Sequence, residues 1–161
     1  MFSPDSSLYP WVMKFIEVTT NMCRKDLLND ISSTFQELGF SESTSSKPMT
    51  YLRNVKYPSI FPDKSDYAHF VVHTPMRTIQ VVAKFQESSG TAIEKLGYTV
   101  MDAARSSYDD YLVVCGGSEL LKHDRAIEFL NSYRSSAPKL TAVTVEELAS
   151  FLGPDLGRHA A

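Results

Sequence analysis

Residues 78–96 read TIQVVAKFQESSGTAIEKL, and the two halves of this stretch follow different periods. In the first half Ile79, Val81, Ala83 and Phe85 alternate with Gln80, Val82 and Lys84, the period of a strand that presents one apolar face. In the second half Ile93 and Leu96 begin a helical spacing that Val100 and Ala104 continue, which predicts a helix over 88–106, weakened slightly by Gly97. Between the halves stand Ser88, Ser89, Gly90 and Thr91. Small polar residues there suit a helix N-terminus, whose free N–H groups cap or bind an anion. Lys84 interrupts an apolar strand, and a buried charge without a partner is costly. With Gln86 on the same strand face, Lys84 reads as a residue lining a site; the plainer alternative is a strand-end lysine that reaches water.

Upstream, residues 67–73 (YAHFVVH) alternate aromatic and branched residues as a second strand, and Pro75 suits the loop joining it to the first. His69 and His73 share a face of that strand and read as a half-buried pair. Residues 51–57 predict an edge strand ending at Pro58, and SESTSSKP before it predicts a loop. Leu27, Leu28, Ile31, Phe35 and Leu38 form a helical stripe that Gly39 closes. A weaker helical pattern runs back to Pro10, and residues 1–9 read as a loose arm.

Downstream, residues 111–115 are a continuous apolar run ended by Gly116 and Gly117, the pattern of a strand covered on both faces. An amphipathic helix is expected over 124–133 and a short strand over 139–143. Thr144, with Glu147 three positions on, forms a capping box for a last helix ending near Gly153. The order is helix, three strands, helix, strand, helix, strand, helix. A meander followed by helical crossovers predicts an α/β fold, a three-layer α/β/α sandwich around a mixed central sheet. No repeat or long linker divides residues 1–161, so a single domain is expected.

The bulk composition is that of a globular chain: 161 residues, 43% hydrophobic, 22% charged, net charge −3. That charge argues against a broadly basic nucleic-acid binder but leaves room for a local basic patch. Lys47, Arg53, Lys56 and Lys64, interleaved with Tyr51, Tyr57 and Phe61, form one such stretch, with a solvated face as the simpler reading. Cys23 and Cys115 lack partners at metal-ligand spacing, and Cys115 reads as a small buried residue. Asp109 and Asp110 read as part of a helix-to-strand turn. The N-terminus lacks the pattern of a signal peptide and no run is long enough to span a membrane, so a cytoplasmic protein without membrane contact is expected.

The 78–96 stretch resembles a signature of PD-(D/E)XK, or restriction endonuclease-like, nucleases. In that signature a strand ends in glutamate-x-lysine-x-glutamine, and a Ser-Gly-Ser/Thr turn leads to a helix carrying Glu-Lys-Leu. The matching positions are Lys84, Gln86, Ser89, Gly90, Thr91, Glu94, Lys95 and Leu96. YAHFVVHTP resembles the family's aspartate-bearing strand, and YLVVCGGSEL its later buried strand and Gly-Gly turn. The resemblance covers roughly residues 27–130. It implies a restriction endonuclease-like sandwich and, in an active member, magnesium held by strand carboxylates beside the lysine. The metal stabilises developing charge and acidifies the attacking water.

Two of those positions depart from the pattern. Alignment on Lys84 puts Val82 where the glutamate belongs, and the preceding strand puts His69 at the aspartate. Valine cannot ligate a metal, and histidine suits transition metals better than magnesium. The resemblance therefore implies a catalytically degenerate member without a cofactor. Such a chain would bind nucleic acid or a partner protein, as a subunit or regulator in a nuclease, defence or mobile-element system. Ser88, Ser89, Gly90, Thr91, Lys56 and Lys95 are the candidate nucleic-acid contacts, with DNA as the expected nucleic acid. A homodimer is compatible with the family. One alternative is an active magnesium-dependent deoxyribonuclease whose ligands have migrated to Glu37 or Asp66, with Lys84 and Gln86 retained. Asp66 alternates out of His69's strand face, so it would need a break in the strand to join it. Another alternative is an inhibitor or assembly subunit that binds protein alone.

Overall fold

The computed structural model describes residues 23–157. The arm expected over 1–9 and the helical pattern back to Pro10 fall outside the described residues. Helix α1 (Arg24–Glu37) opens where the Asp26 carboxylate accepts the Cys23 N–H at 2.9 Å. It buries Leu27, Ile31 and Phe35, with Leu28 and Leu38 partly covered on the same side. Gly39 ends it at φ 97°, a left-handed conformation that glycine adopts without steric cost.

Six strands follow in simple spatial order: β1 (Ser41–Glu42), β2 (Thr50–Pro58), β3 (Ser65–His73), β4 (Thr78–Phe85), β5 (Asp110–Gly116) and β6 (Leu140–Thr144). β2, β3 and β4 form an antiparallel meander, and β4, β5 and β6 are parallel. The loop expected over 41–48 contains β1, which pairs in parallel with Thr50 and Tyr51. β2 is therefore covered along its first residues instead of forming a bare edge. Between β3 and β4 the Thr74 hydroxyl accepts the N–H groups of Met76 and Arg77, at 3.1 and 2.9 Å, and so closes the Pro75 turn.

The parallel strands are joined by α2 (Leu96–Arg105) and α3 (Arg125–Ser132), and the chain ends on α4 (Leu148–Leu152). The Thr144–Glu147 capping box forms, with Glu147 Oε1 accepting both the N–H and the hydroxyl of Thr144 at 3.1 and 2.9 Å. It opens a 3-10 turn, and α4 follows that turn.

One core lies between the sheet and α1 with α4. Phe35, Tyr51 and Phe70 meet there edge-on or tilted, with centroids 5.2 and 5.3 Å from Phe35. Truncating a side chain as buried as Phe35 costs about 3–5 kcal/mol. The other core lies on the opposite sheet face, where Val82, Tyr111, Val113 and Cys115 pack against Leu96, Val100, Ala126 and Leu130 of α2 and α3. The layers are α/β/α, as the sequence predicts.

The helix predicted over 88–106 begins only at Leu96. Residues 87–95 form bends and turns, and the Gln86 side-chain amide donates to the Ser88 carbonyl at 2.8 Å. Gly90 lies close against the same amide. The segment wraps around Gln86, and helix starts once that contact is complete. The buried stripe then runs through Leu96, Thr99, Val100 and Ala103, while Ala104 is exposed.

Candidate functional site

The sheet forks between β3 and β4. Their pairing runs from His73↔Thr78 to Phe70↔Val81 and stops. The first half of β3, from Ser65, pairs with β2 alone. One further step would set His69 opposite Val82. Instead the His69 ring fills the gap, and its Nδ1 accepts the Ala83 N–H at 2.9 Å. A side chain thereby satisfies a backbone donor that the strand ladder no longer reaches.

The β2–β3 ladder is also interrupted here. Pairing passes over Asn54 and His69, one residue on each strand, so the register is unchanged on either side. Asn54 takes φ 52°, a left-handed value that asparagine tolerates better than most residues. With the register unchanged, the interruption is neither the bulge nor the register slip that alternation required for Asp66 to share His69's face. Beyond it the hairpin turns toward α2. Tyr57 donates its hydroxyl to Asp102 at 2.6 Å, and Tyr98 donates to Asp66 at 2.5 Å.

Arg24, the first residue of α1, reaches the fork from the other side. Its Nη2 lies against His69 Nε2. A neutral imidazole has a single acceptor nitrogen, yet two donors approach this ring, the Ala83 N–H and the Arg24 guanidinium. Burial, then Arg24 and Lys84, lower the His69 pKa to about 4, so the ring is neutral at pH 7. With Nδ1 accepting from Ala83, the ring proton sits on Nε2 and faces the guanidinium. One of the two donors therefore lacks an acceptor.

Lys84 points to the same region from the end of β4. No carboxylate lies within ion-pair reach of Lys84 or Arg24 among the described residues. Burial and the Arg24 charge lower the Lys84 pKa, and Asp102 opposes them. Lys84, Gln86, Ser88, Ser89, Gly90, Thr91 and Lys95 line one cavity of about 580 Å³ together with Arg24. The sequence-predicted residues of the 84–95 stretch thus converge. They do so without a helix N-terminus at Ser88–Thr91, because the helix starts downstream. Gln86 is 8% exposed, and its Oε1 has no partner among the described residues. Glu87, the acid of the cavity wall, is engaged by Ser118, whose N–H and hydroxyl both lie 3.1 Å from its carboxylate.

The other expectations scatter. Glu37 stands at the far end of α1, roughly 20 Å along the helix axis from Arg24. Lys56 is exposed on β2, and neither residue lines the cavity. The aromatic residues interleaved with the basic stretch are largely spent on packing: Tyr51 is fully buried, and Tyr57 is bonded to Asp102. Arg53 pairs with Glu42 and lies over the Phe70 ring. Asp109 accepts the Thr78 N–H at 2.8 Å and Asp110 pairs with Arg77 at 2.7 Å, which makes both structural. His73 occupies the opposite end of the β3–β4 pairing from His69, beside Thr78.

A magnesium ion does not fit these donors. Val82 is 6% exposed and packed in the α2-side core, so its position is filled as well as chemically inert. His69 has its acceptor nitrogen occupied, and the nearest charged neighbours are cations. Among the described residues no three His, Cys, Asp or Glu side chains gather as a metal site would require.

Arg24, Asp102, Tyr98 and Tyr111 are parts of this region that the sequence did not single out. Arg24 carried a faint signal, since the positive end of a helix dipole is an unfavourable place for a cation unless something else holds it there. Asp102 carried none. It is 4% exposed, and its Oδ2 accepts the hydroxyls of Tyr57 and Tyr111 at 2.6 and 2.7 Å.

A mixed sheet sandwiched by helices, forked where a lysine-bearing strand leaves its neighbour, is the framework of the restriction endonuclease-like class. The family model described as PD-(D/E)XK nuclease superfamily domain matches residues 19–155, and the chain belongs to that superfamily. Comparison with curated proteins and with solved structures returned no match. Among the described residues no helix is long and apolar enough to cross a membrane.

Proposed function

We propose that this chain is a catalytically degenerate PD-(D/E)XK domain that binds nucleic acid through the cavity at the sheet fork. The observation that carries the proposal is the pair of replacements at the fork. His69 is locked to a backbone amide and Val82 is packed into a core, where an active member would hold metal-binding carboxylates. Lys84 and Gln86 remain, but phosphodiester hydrolysis by the family's route needs the metal beside them. The surviving cavity is lined by Lys84, Lys95 and Arg24 with the small residues of 88–91, a surface that suits a phosphate backbone.

The alternative with migrated ligands would need Glu37 or Asp66 to converge on Lys84 and Gln86. Glu37 lies at the distal end of its helix, and Asp66 is engaged by Tyr98. Incubation of the full chain with supercoiled plasmid and short duplexes, in magnesium and in manganese, tests the proposal. Intact DNA, with retention of the duplex at low salt and release at high salt, is the expected result. Cleavage that Lys84→Ala abolishes would overturn the degenerate assignment. Absence of any DNA binding at low salt would overturn the nucleic-acid assignment in favour of a protein partner.

A further inference from the structure

We infer that the fork grips a phosphate group directly, on the Arg24 guanidinium and the Lys84 ammonium, with no divalent ion between. The inference rests on the proposed loss of the metal centre and reverses the sign of the site: an anion is held where the family's centre holds a cation.

Three observations lead to it. Arg24 and Lys84 face one cavity from different elements, and no carboxylate neutralises either among the described residues. Like charges brought together in a partly buried place repel unless an anion is shared between them. The His69 ring then offers one acceptor to two donors, and with Nδ1 taken by Ala83 the Arg24 guanidinium is left without an acceptor on the ring. An anionic oxygen in the cavity supplies one to the guanidinium as a charge-assisted hydrogen bond. Finally, Gln86 Oε1 is buried on the cavity wall without a donor among the described residues. A hydroxyl of a phosphate monoester, or of a sugar attached to the phosphate, would satisfy it. The acids nearby do not compete, because Glu87 is held by Ser118 and Asp102 by two tyrosines.

The phosphate could belong to a nucleic-acid backbone or to a terminal or free phosphate, and the test separates these sources. Amide chemical shifts of the full chain are followed on titration with inorganic phosphate, with a 5′-phosphorylated single-stranded oligonucleotide and with the same oligonucleotide lacking that phosphate. Each titration is run in a chelator and in magnesium. The expected result is movement of the Ala83–Gln86 amides, with affinity in the chelator at least equal to that in magnesium. Arg24→Ala and Lys84→Ala should each weaken binding about tenfold or more. Lys84→Gln and Arg24→Lys serve as milder variants, each accepted only if its remaining amide spectrum matches the parent.

Equal affinity of both oligonucleotides assigns the site to backbone phosphate, and a requirement for the 5′-phosphate assigns it to a terminal monoester. Inorganic phosphate bound at the fork with neither oligonucleotide bound would sustain the anion site and sink the nucleic-acid reading. Oligonucleotide binding that leaves the fork amides unmoved, and that Lys84→Gln and Arg24→Lys do not weaken, would do the reverse. Binding that appears only with magnesium, or no binding of any probe, overturns the inference.

Discussion

His69 Nδ1 accepts the backbone N–H of Ala83 across the gap where β3 leaves β4. A side chain from one strand thus completes the hydrogen bonding of the next. The bond makes His69 a structural residue.

Removing the ring should therefore cost stability even if the site binds nothing. His69→Ala leaves the Ala83 N–H without its acceptor, a loss of about 1–3 kcal/mol. His69→Asn, whose amide oxygen can accept the same bond, should recover part of that loss. Urea denaturation of the three proteins measures the difference, and equal stability of all three would show that the bond contributes nothing.

The protonation of His69 also sets a pH dependence. Its folded pKa is lowered to about 4 from the usual 6.5, chiefly by burial. Between those values the unfolded chain takes up a proton that the folded chain refuses. The stability this group contributes is complete above pH 6.5 and is lost as pH falls toward 4. Carboxylates titrate in the same window, so the measurement is the difference between the parent and His69→Asn. The parent should lose more stability than the variant on acidification from pH 7 to pH 4.5, as read by urea midpoints.

Gly117 is constrained by the backbone of the site. It sits at φ 91°, and a Cβ there would fall 2.3 Å from the Gln86 carbonyl oxygen. That oxygen also accepts the N–H groups of Glu119 and Leu120, at 3.1 and 3.0 Å, which fixes the end of β4 to the turn after β5. Gly117→Ala combines backbone strain with a clash that no side-chain rotation relieves, and a loss of at least about 2–3 kcal/mol is expected. Thermal unfolding checks it. Gly153→Ala is the control, since a Cβ there meets nothing within 4 Å.

Asp102 holds two phenols in a buried cluster. Burial and the Asp102 charge push the Tyr111 hydroxyl well above the usual tyrosine range, and burial with the Asp102 hydrogen bond does the same for Tyr57. Ultraviolet titration should show both tyrosines remaining protonated until the chain unfolds in alkali. Asp102→Ala orphans two hydroxyls and should lower stability by about 2–4 kcal/mol, more than Tyr57→Phe and Tyr111→Phe do singly.

The sheet was legible in the sequence because each strand carries a clear period. Ile79, Val81 and Ala83 go to one core and Val82 to the other, as alternation requires. The capping box at Thr144 and the stop at Gly39 were legible because capping chemistry is local. The start of α2 was not, because Ile93 keeps the helical phase while Gln86, a side chain from the preceding strand, organises residues 88–90 into bends. The convergence of Lys84, Gln86 and Lys95 followed from the motif. Arg24 did not, because it arrives from a distant helix through a fork that no local pattern encodes. In the basic stretch around Arg53, a run of charges does not reveal which aromatic residues beside it are already buried.

The fork limits which side chains positions 69 and 82 can carry. Position 69 must present a lone pair to the Ala83 amide, a demand an aspartate oxygen or an imidazole nitrogen can meet and an aliphatic side chain cannot. Position 82 lies inside an apolar layer, where a branched hydrocarbon is more comfortable than a carboxylate without a counterion. Histidine at one and valine at the other each meet the demand their surroundings make, the first as an acceptor bridging two strands and the second as filling for an apolar layer.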